Sequence, residues 1–90
     1  MLKRVNLFIS GLVQGVGYRY LAQKEAQRRG FTGYVRNLDL DRVEVVAEGE
    51  AQELKDFIQW CYNGVSTAQV YKIEENWSDS TGEFSSFMIR

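Results

Sequence analysis

The chain has 90 residues, 44% of them hydrophobic and 13% aromatic, so we expect a single domain over residues 1–90 with one small core. Its net charge of −1 argues against a nucleic-acid partner, because such a partner normally needs a basic face. With no histidine and one cysteine, a Ser-His-Asp triad is excluded, and zinc, haem and Cys–His sites are disfavoured.

The cellular compartment is indicated by the cysteine and by the N-terminus. Cys61 has no second cysteine to pair with, which fits a reducing compartment. Met1–Arg4 leads directly into a strand pattern without a signal-like apolar segment. No stretch approaches the ~18 consecutive apolar residues that a membrane span needs. We therefore expect a cytoplasmic protein with no membrane partner.

Periodicity predicts the elements of the first half. Arg4–Ser10 alternates apolar and polar residues, as a strand with one buried face does. Apolar residues then recur at helical spacing over Tyr18–Arg29, and Gly30 is a natural stop for that helix. Thr32–Leu38 and Arg42–Glu48 are rich in β-formers and joined by a short polar link, which predicts a β-hairpin.

The second half completes a known order of elements. A second amphipathic helix is predicted over Ala51–Tyr62, followed by a strand over Val70–Trp77 and a short strand within Phe84–Arg90. The order β-α-β-β-α-β, with this extra terminal strand, is the ferredoxin-like pattern. The predicted fold class is α+β: a two-layer sandwich whose mostly antiparallel sheet is covered by two helices on one face.

A glycine-rich segment, Gly11–Gly17, lies between the first strand and the first helix. Glycine permits positive φ and close approach of another molecule. A turn that runs into a helix N-terminus directs several N–H groups at one spot, which attracts anions. Arg19 adds a planar fork of donors suited to phosphate or carboxylate. On spacing alone, a strand-to-helix turn with a solvated arginine explains the segment equally well.

Two familiar phosphate motifs do not fit this segment. The dinucleotide fingerprint needs a third glycine where Tyr20 stands. The Walker pattern needs glycine at position 16, followed by Lys and Ser or Thr, where the chain has Val16, Gly17 and Tyr18. An anion cradle here would therefore be of another kind.

Four longer segments carry a resemblance to a known family. They are Ser10–Arg19, Gly33–Asn37 followed by Arg42–Gly49, and the tail Thr81–Phe87. In their order and spacing they resemble acylphosphatase over nearly the whole chain. The resemblance implies a ferredoxin-like enzyme that hydrolyses the carboxyl-phosphate anhydride of acyl phosphates to a carboxylate and inorganic phosphate.

The resemblance also implies roles for individual residues. Arg19 matches the family's phosphate-binding arginine, and Asn37 matches its water-positioning asparagine. The backbone cradle around the phosphoryl oxygens matches the loop, so the phosphate-binding residues implied are Gln14, Gly15, Val16, Gly17, Tyr18 and Arg19. The expected partners are a small-molecule acyl phosphate and inorganic phosphate, and we expect a monomer. We expect no cofactor, no metal and no covalent phosphoenzyme, because a carboxylate leaves as an anion without help from an acid.

The hairpin tip departs from the family. Asp39-Leu40-Asp41 stands where the family usually has Asp-Gly, so a glycine turn position has gained a Cβ. A left-handed turn there would cost about 1 kcal/mol. We therefore expect a strained tip.

Two alternative functions remain open. RNA-binding RRM domains share the element order, but their third strand carries aromatic residues, and Arg42–Glu48 carries none and has two acids. A non-catalytic anion-binding or regulatory domain would keep the cradle without turnover. The alternating acids Glu44, Glu48 and Glu50 are interpreted as an exposed face rather than a metal site.

Overall fold

The structure, a computed structural model, describes residues 1–90 as five strands and two helices. In chain order these are β1 (Leu2–Leu12), α1 (Tyr18–Arg28), β2 (Thr32–Asp39), β3 (Arg42–Glu50), α2 (Ala51–Asn63), β4 (Gln69–Asp79) and β5 (Phe87–Ile89). The predicted order is confirmed, including the short terminal strand. Neither helix is long and apolar enough to cross a membrane.

The five strands form one sheet in the order β4-β1-β3-β2-β5. Neighbouring strands are antiparallel except β5, which runs parallel to β2. Helix α1 packs on β2 and β5, and α2 packs on β3, β4 and β1. The predicted α+β sandwich with a mostly antiparallel sheet is confirmed.

The core lies between the sheet and the two helices. The predicted apolar face of β1 is fully buried there through Val5, Leu7 and Ile9. Phe57 of α2 packs edge-on against Phe31, with ring centroids 5.3 Å apart. Such a contact adds to the free energy gained by burying two large apolar side chains. These residues fix how the helices sit on the sheet.

The strand register brings the end of β1 close to the β2–β3 hairpin. Ile9 pairs with Val43, and Val43 pairs in turn with Asn37. Asn37 therefore lies in the same row as Ile9, two strand spacings or about 10 Å away. The N–H of Gly11 also donates to the carbonyl of Asp41 at 3.0 Å. The loop that follows β1 thus starts beside the hairpin.

The hairpin tip lacks the backbone strain that the sequence predicts. No residue other than glycine has positive φ, so Leu40 and Asp41 turn the chain without a left-handed backbone. The register shifts between Asn37 and Asp39, where one residue of β2 bulges out of the ladder. A bulge bends and twists its strand, and this lets an ordinary turn close the hairpin. The expected cost of about 1 kcal/mol therefore does not arise.

The interpretation of the alternating acids as an exposed face is wrong for two of them. Glu44 and Glu48 are only 6% and 5% exposed, whereas Glu50 is exposed. Glu44 is covered by the side chains of Asn6 and Arg36, which donate to it at 2.9 and 2.6 Å. Alternation identified the sheet face opposite the helices correctly, but it does not reveal what covers that face.

Candidate functional site

A concave space of about 230 Å³ opens at the N-terminus of α1. Its lining consists of Val13, Gln14, Gly15, Gly17, Tyr18, Arg19, Tyr20 and Ile89. Five of the six predicted phosphate-binding residues therefore meet around one space. The sixth, Val16, turns its side chain toward the core, and its carbonyl accepts a hydrogen bond from Thr67 Oγ1 at 2.9 Å.

The two glycines of the loop are required by the backbone. Gly15 has φ 74° and Gly17 has φ 79°, the left-handed region that L residues with a side chain rarely adopt. A Cβ built on either residue would meet no atom within 4 Å. Glycine at these positions thus permits the turn and leaves the space beside it open.

A run of backbone donors faces no protein acceptor. None of the N–H groups of Gly15–Tyr20 donates within the protein, and Leu21 is the first that does, to the carbonyl of Gly17 at 3.1 Å. No side chain caps α1, and its first turn contains no acidic residue. The positive end of the helix dipole, about half an elementary charge, is therefore uncompensated. This arrangement attracts an anion.

Arg19 adds a full positive charge at the same place. It lies in the first turn of α1, is exposed, and lines the concave space. It takes part in none of the ion pairs of the chain. The acid at the hairpin tip, Asp39, pairs with Arg42 at 2.8 Å, and hydrogen bonding to Arg42 lowers the pKa of Asp39. The tip acid is thus already balanced by its own partner.

Asn37 does not line the concave space, but it lies at the same end of the sheet. It is exposed near the end of β2, on the face that Val35 and Val43 share, which is the face covered by the helices. Ile89 of β5 pairs with Val35 and reaches the space itself. Asn37 thus follows Val35, the partner of this lining residue, by two positions along β2.

Tyr18 contributes its backbone to the site and its side chain to the core. The side chain is buried, and its hydroxyl donates to the carbonyl of Cys61 at 2.7 Å. Burial raises the pKa of the hydroxyl far above its ordinary value, and the Cys61 thiol adds to the effect. The hydroxyl satisfies a carbonyl at the end of α2 that lacks a helical partner, so it anchors the start of α1.

Ile89 was not predicted as a site residue. The C-terminal alternation predicts a strand, but no sequence pattern indicates which strand lies beside it in the sheet. The parallel pairing with β2 brings Ile89 beside the loop. The chain brings together no group of three or more His, Cys, Asp or Glu residues that could hold a metal ion.

Comparison with known proteins gives a consistent result. A family model described as acylphosphatase matches residues 5–89. The acylphosphatase of Roseiflexus sp. (strain RS-1) is 44% identical over 86 residues, which are 96% of this chain and 92% of that protein. The crystal structure of acylphosphatase from Bacillus subtilis superimposes with a TM-score of 0.92 at 38% identity, covering 100% of this chain and 99% of that one. An acylphosphatase structure from Coxiella burnetii gives 0.91 at 30% identity, covering 99% and 93%.

Proposed function

The chain belongs to the acylphosphatase family, and we propose that it performs the family's reaction with the loop Gln14–Arg19 and the side chains of Arg19 and Asn37. The reaction converts an acyl phosphate and water into a carboxylate and inorganic phosphate. The observation that carries the proposal is the run of unpaired N–H groups beside an unpaired arginine at the concave end of α1.

The loop and Arg19 hold the phosphoryl group. Phosphoryl transfer passes through a loose transition state with charge on the equatorial oxygens, so positioning and electrostatics supply most of the catalysis. The N–H groups of Gly15–Tyr20 donate to those oxygens, and the Arg19 guanidinium neutralises their charge with its planar fork. Gly15 and Gly17 leave room for this close approach.

Asn37 orients the attacking water. Its primary amide both donates and accepts hydrogen bonds, so it can fix a water molecule in line with the leaving group. A loose transition state makes little demand on a base, and a phosphoryl oxygen of the substrate takes the water proton. The position of Asn37, on the helix-covered face and in register with Ile9, supports this role.

The leaving group needs no acid from the protein. A carboxylate with a pKa of about 4 departs as an anion at neutral pH. We therefore propose a reaction without a metal ion and without a covalent phosphoenzyme. Water oxygen bonds to phosphorus, and the bond from phosphorus to the acyl oxygen breaks.

The proposal includes a cytoplasmic monomer that acts on a small-molecule acyl phosphate. Cys61 is the single cysteine of the chain and is buried, as suits a reducing compartment. The net charge of −1 supports the absence of a nucleic-acid partner. Sedimentation of the purified chain measures its oligomeric state directly.

The test is release of benzoate from benzoyl phosphate with and without EDTA. We expect hydrolysis to survive chelation and Arg19→Ala to lower the rate about 10³–10⁵-fold, the range of other cationic clamps in phosphoryl transfer. Asn37→Ala should lower kcat and leave inhibition by inorganic phosphate nearly unchanged, because the cradle is intact.

Arg28→Ala is the matched control, since Arg28 is an exposed arginine of the same helix that pairs with Glu25 at 2.5 Å. It should keep the rate of the unmodified protein. Phosphate binding without hydrolysis would overturn the proposal and favour a regulatory domain. Full activity in Arg19→Ala would overturn the role of the cradle, and full turnover in Asn37→Ala would overturn the water-positioning role.

A further inference from the structure

Gln14 lines the concave space, but its side-chain amide is bonded to the hairpin. The Nε2 amide donates to the main-chain carbonyl of Asp39, and to that of Arg42 at 3.1 Å. We propose that Gln14 is a positioning residue that fixes the hairpin carrying Asn37 against the phosphate cradle. This inference rests on the proposed function and assigns the side chain to the hairpin rather than to phosphate.

The chemistry of the primary amide suits this position. An amide nitrogen carries two hydrogens, so one side chain can serve two carbonyls. A carboxylate accepts only, and it would face two carbonyl oxygens with no proton to share. Both acceptors are main-chain atoms. The contact therefore depends on the path of the hairpin and not on the side chains at its tip.

The two carbonyls control where Asn37 sits. Asp39 follows Asn37 by two residues, and Arg42 precedes Val43, the cross-strand partner of Asn37. Between Asn37 and Asp39 the ladder is interrupted by the bulge. The sheet alone thus defines the end of β2 less firmly than its middle, and the Gln14 amide holds both strand ends at that point.

The hydrogen bonds of the Gln14 amide join the phosphate cradle to the hairpin that carries Asn37. Gln14 lines the concave space and directly precedes the unpaired N–H donors of Gly15–Tyr20. Loss of the side chain would leave the tie from the Gly11 N–H to the Asp41 carbonyl, 3.0 Å long, in place. The hairpin would then stay folded, and Asn37 would gain freedom relative to the phosphoryl group.

The experiment measures kcat, KM and inhibition by inorganic phosphate for Gln14→Met and Gln14→Glu. Methionine keeps the length of the side chain without donors, and glutamate keeps its shape without donors. We expect kcat to fall at least about tenfold, because misplacement by 1 Å can cost about 10²-fold. The inhibition constant for phosphate should change less than about twofold in Gln14→Met, because the cradle keeps its own donors.

A double-mutant cycle with Asn37→Ala isolates the coupling. If Gln14 acts through Asn37, Gln14→Met should lower kcat no further in the Asn37→Ala background. Gln52→Ala is the control, because Gln52 also bonds through its amide, to Asp56 at 3.2 Å on the exposed side of α2. Gln52→Ala should change neither kcat nor the inhibition constant for phosphate. Circular dichroism should show that every variant is folded.

Three results would overturn the inference. An unchanged kcat in both Gln14 variants would show that catalysis does not need the hydrogen bonds from Gln14 to the hairpin. A parallel loss of phosphate inhibition in Gln14→Met would make the side chain part of the anion site. Additive losses in the cycle would separate Gln14 from Asn37. In each case the rates of the unmodified protein and of Arg19→Ala still test the proposed function independently.

Discussion

Gly11 and Gly17 belong to one loop motif, yet the structure needs them for different reasons. A Cβ built on Gly11 lies 2.0 Å from the carbonyl oxygen of Gln69, whereas one built on Gly17 meets nothing within 4 Å. Gly11 permits β1 and β4 to approach closely. Gly17 has no such neighbour in the protein, and it permits the left-handed turn before α1. The identity of the residue as glycine does not reveal whether close packing or backbone conformation requires it.

We expect Gly11→Ala to destabilise the protein more than Gly17→Ala. The Gly17 change forces an L residue into φ 79°, which costs about 1 kcal/mol. The Gly11 change must also move the backbone of β4, so its cost should exceed ~2 kcal/mol. Urea unfolding of the two variants gives both free energies. Equal losses would contradict the steric account of Gly11.

At the scale of elements, the sign of the stability change on replacing Leu40 by glycine shows whether the backbone of the hairpin tip is left-handed. Leu40 is 95% exposed and its φ is not positive, so its replacement removes no buried surface and relieves no strain. Leu40→Gly should therefore destabilise the protein by about 0.5–1 kcal/mol, because glycine gives the unfolded chain more freedom. A left-handed Leu40 would reverse the sign. Denaturant unfolding of Leu40→Gly and Leu40→Ala distinguishes the two cases.

Element order was predictable from sequence, and the neighbours of the last strand were not. Periodicity identifies both helices and the first four strands, because each contains enough residues to show it. The resemblance to acylphosphatase is also confirmed. Strand β5 has three residues, and its parallel pairing with β2 depends on the path of the preceding crossover. Ile89 was missed for that reason. The roles of Arg19 and Asn37 remain predictions.

Side-chain direction was the second limit on sequence reasoning. Gln14 belongs to the loop motif and lines the concave space, but the motif does not show that its amide turns to the hairpin carbonyls. In the same way, alternation placed Glu48 on the face away from the helices, but the residues that bury it lie in a segment without periodicity. Both contacts join parts of the chain that are distant in sequence, where local patterns carry no information.

At the scale of the whole molecule, one buried carboxylate ties the C-terminal crossover to the sheet. The segment between β4 and β5 passes from one edge of the sheet to the other, and Glu48 of β3 accepts four hydrogen bonds from it. The donors are Ser80 Oγ at 2.8 Å, the N–H and Oγ1 of Thr81 at 3.0 Å each, and the Gly82 N–H at 3.0 Å. Glu48 thereby fixes the path that delivers β5, and with it Ile89, to the site.

Glu48 should make the stability of the protein depend on acid. Burial alone would raise the pKa of Glu48, but the hydrogen bonds from Thr81, Ser80 and Gly82 outweigh it and lower the pKa to about 2. The stabilisation is complete above the ordinary pKa of 4.5 and is lost as the pH falls toward 2. Its size is on the order of 3 kcal/mol.

Glu48→Gln measures this contribution. We expect the variant to be less stable at pH 7, because an amide nitrogen faces donors where a carboxylate accepted them. Its stability should then fall less steeply between pH 4.5 and about 2 than that of the unmodified protein. Glu50→Gln, at an exposed position of the same strand, is the control. Parallel pH profiles for Glu48→Gln and the unmodified chain would contradict the role of Glu48.

The reaction itself should depend little on pH near neutrality. The chain has no histidine, and the primary amide of Asn37 carries no titratable group. Burial raises the pKa of the Cys61 thiol to about 12, and the α-amino group of Met1 bonds Glu50 at 2.5 Å, at the opposite end of β1 from the loop. The site thus contains no histidine, the side chain whose ordinary pKa lies between pH 5 and 8. We expect kcat for benzoyl phosphate to be flat across that range and to change only where the substrate phosphoryl group takes up a proton. A bell-shaped profile within it would reveal an acid or base among the residues of the chain and would contradict catalysis by positioning and electrostatics alone.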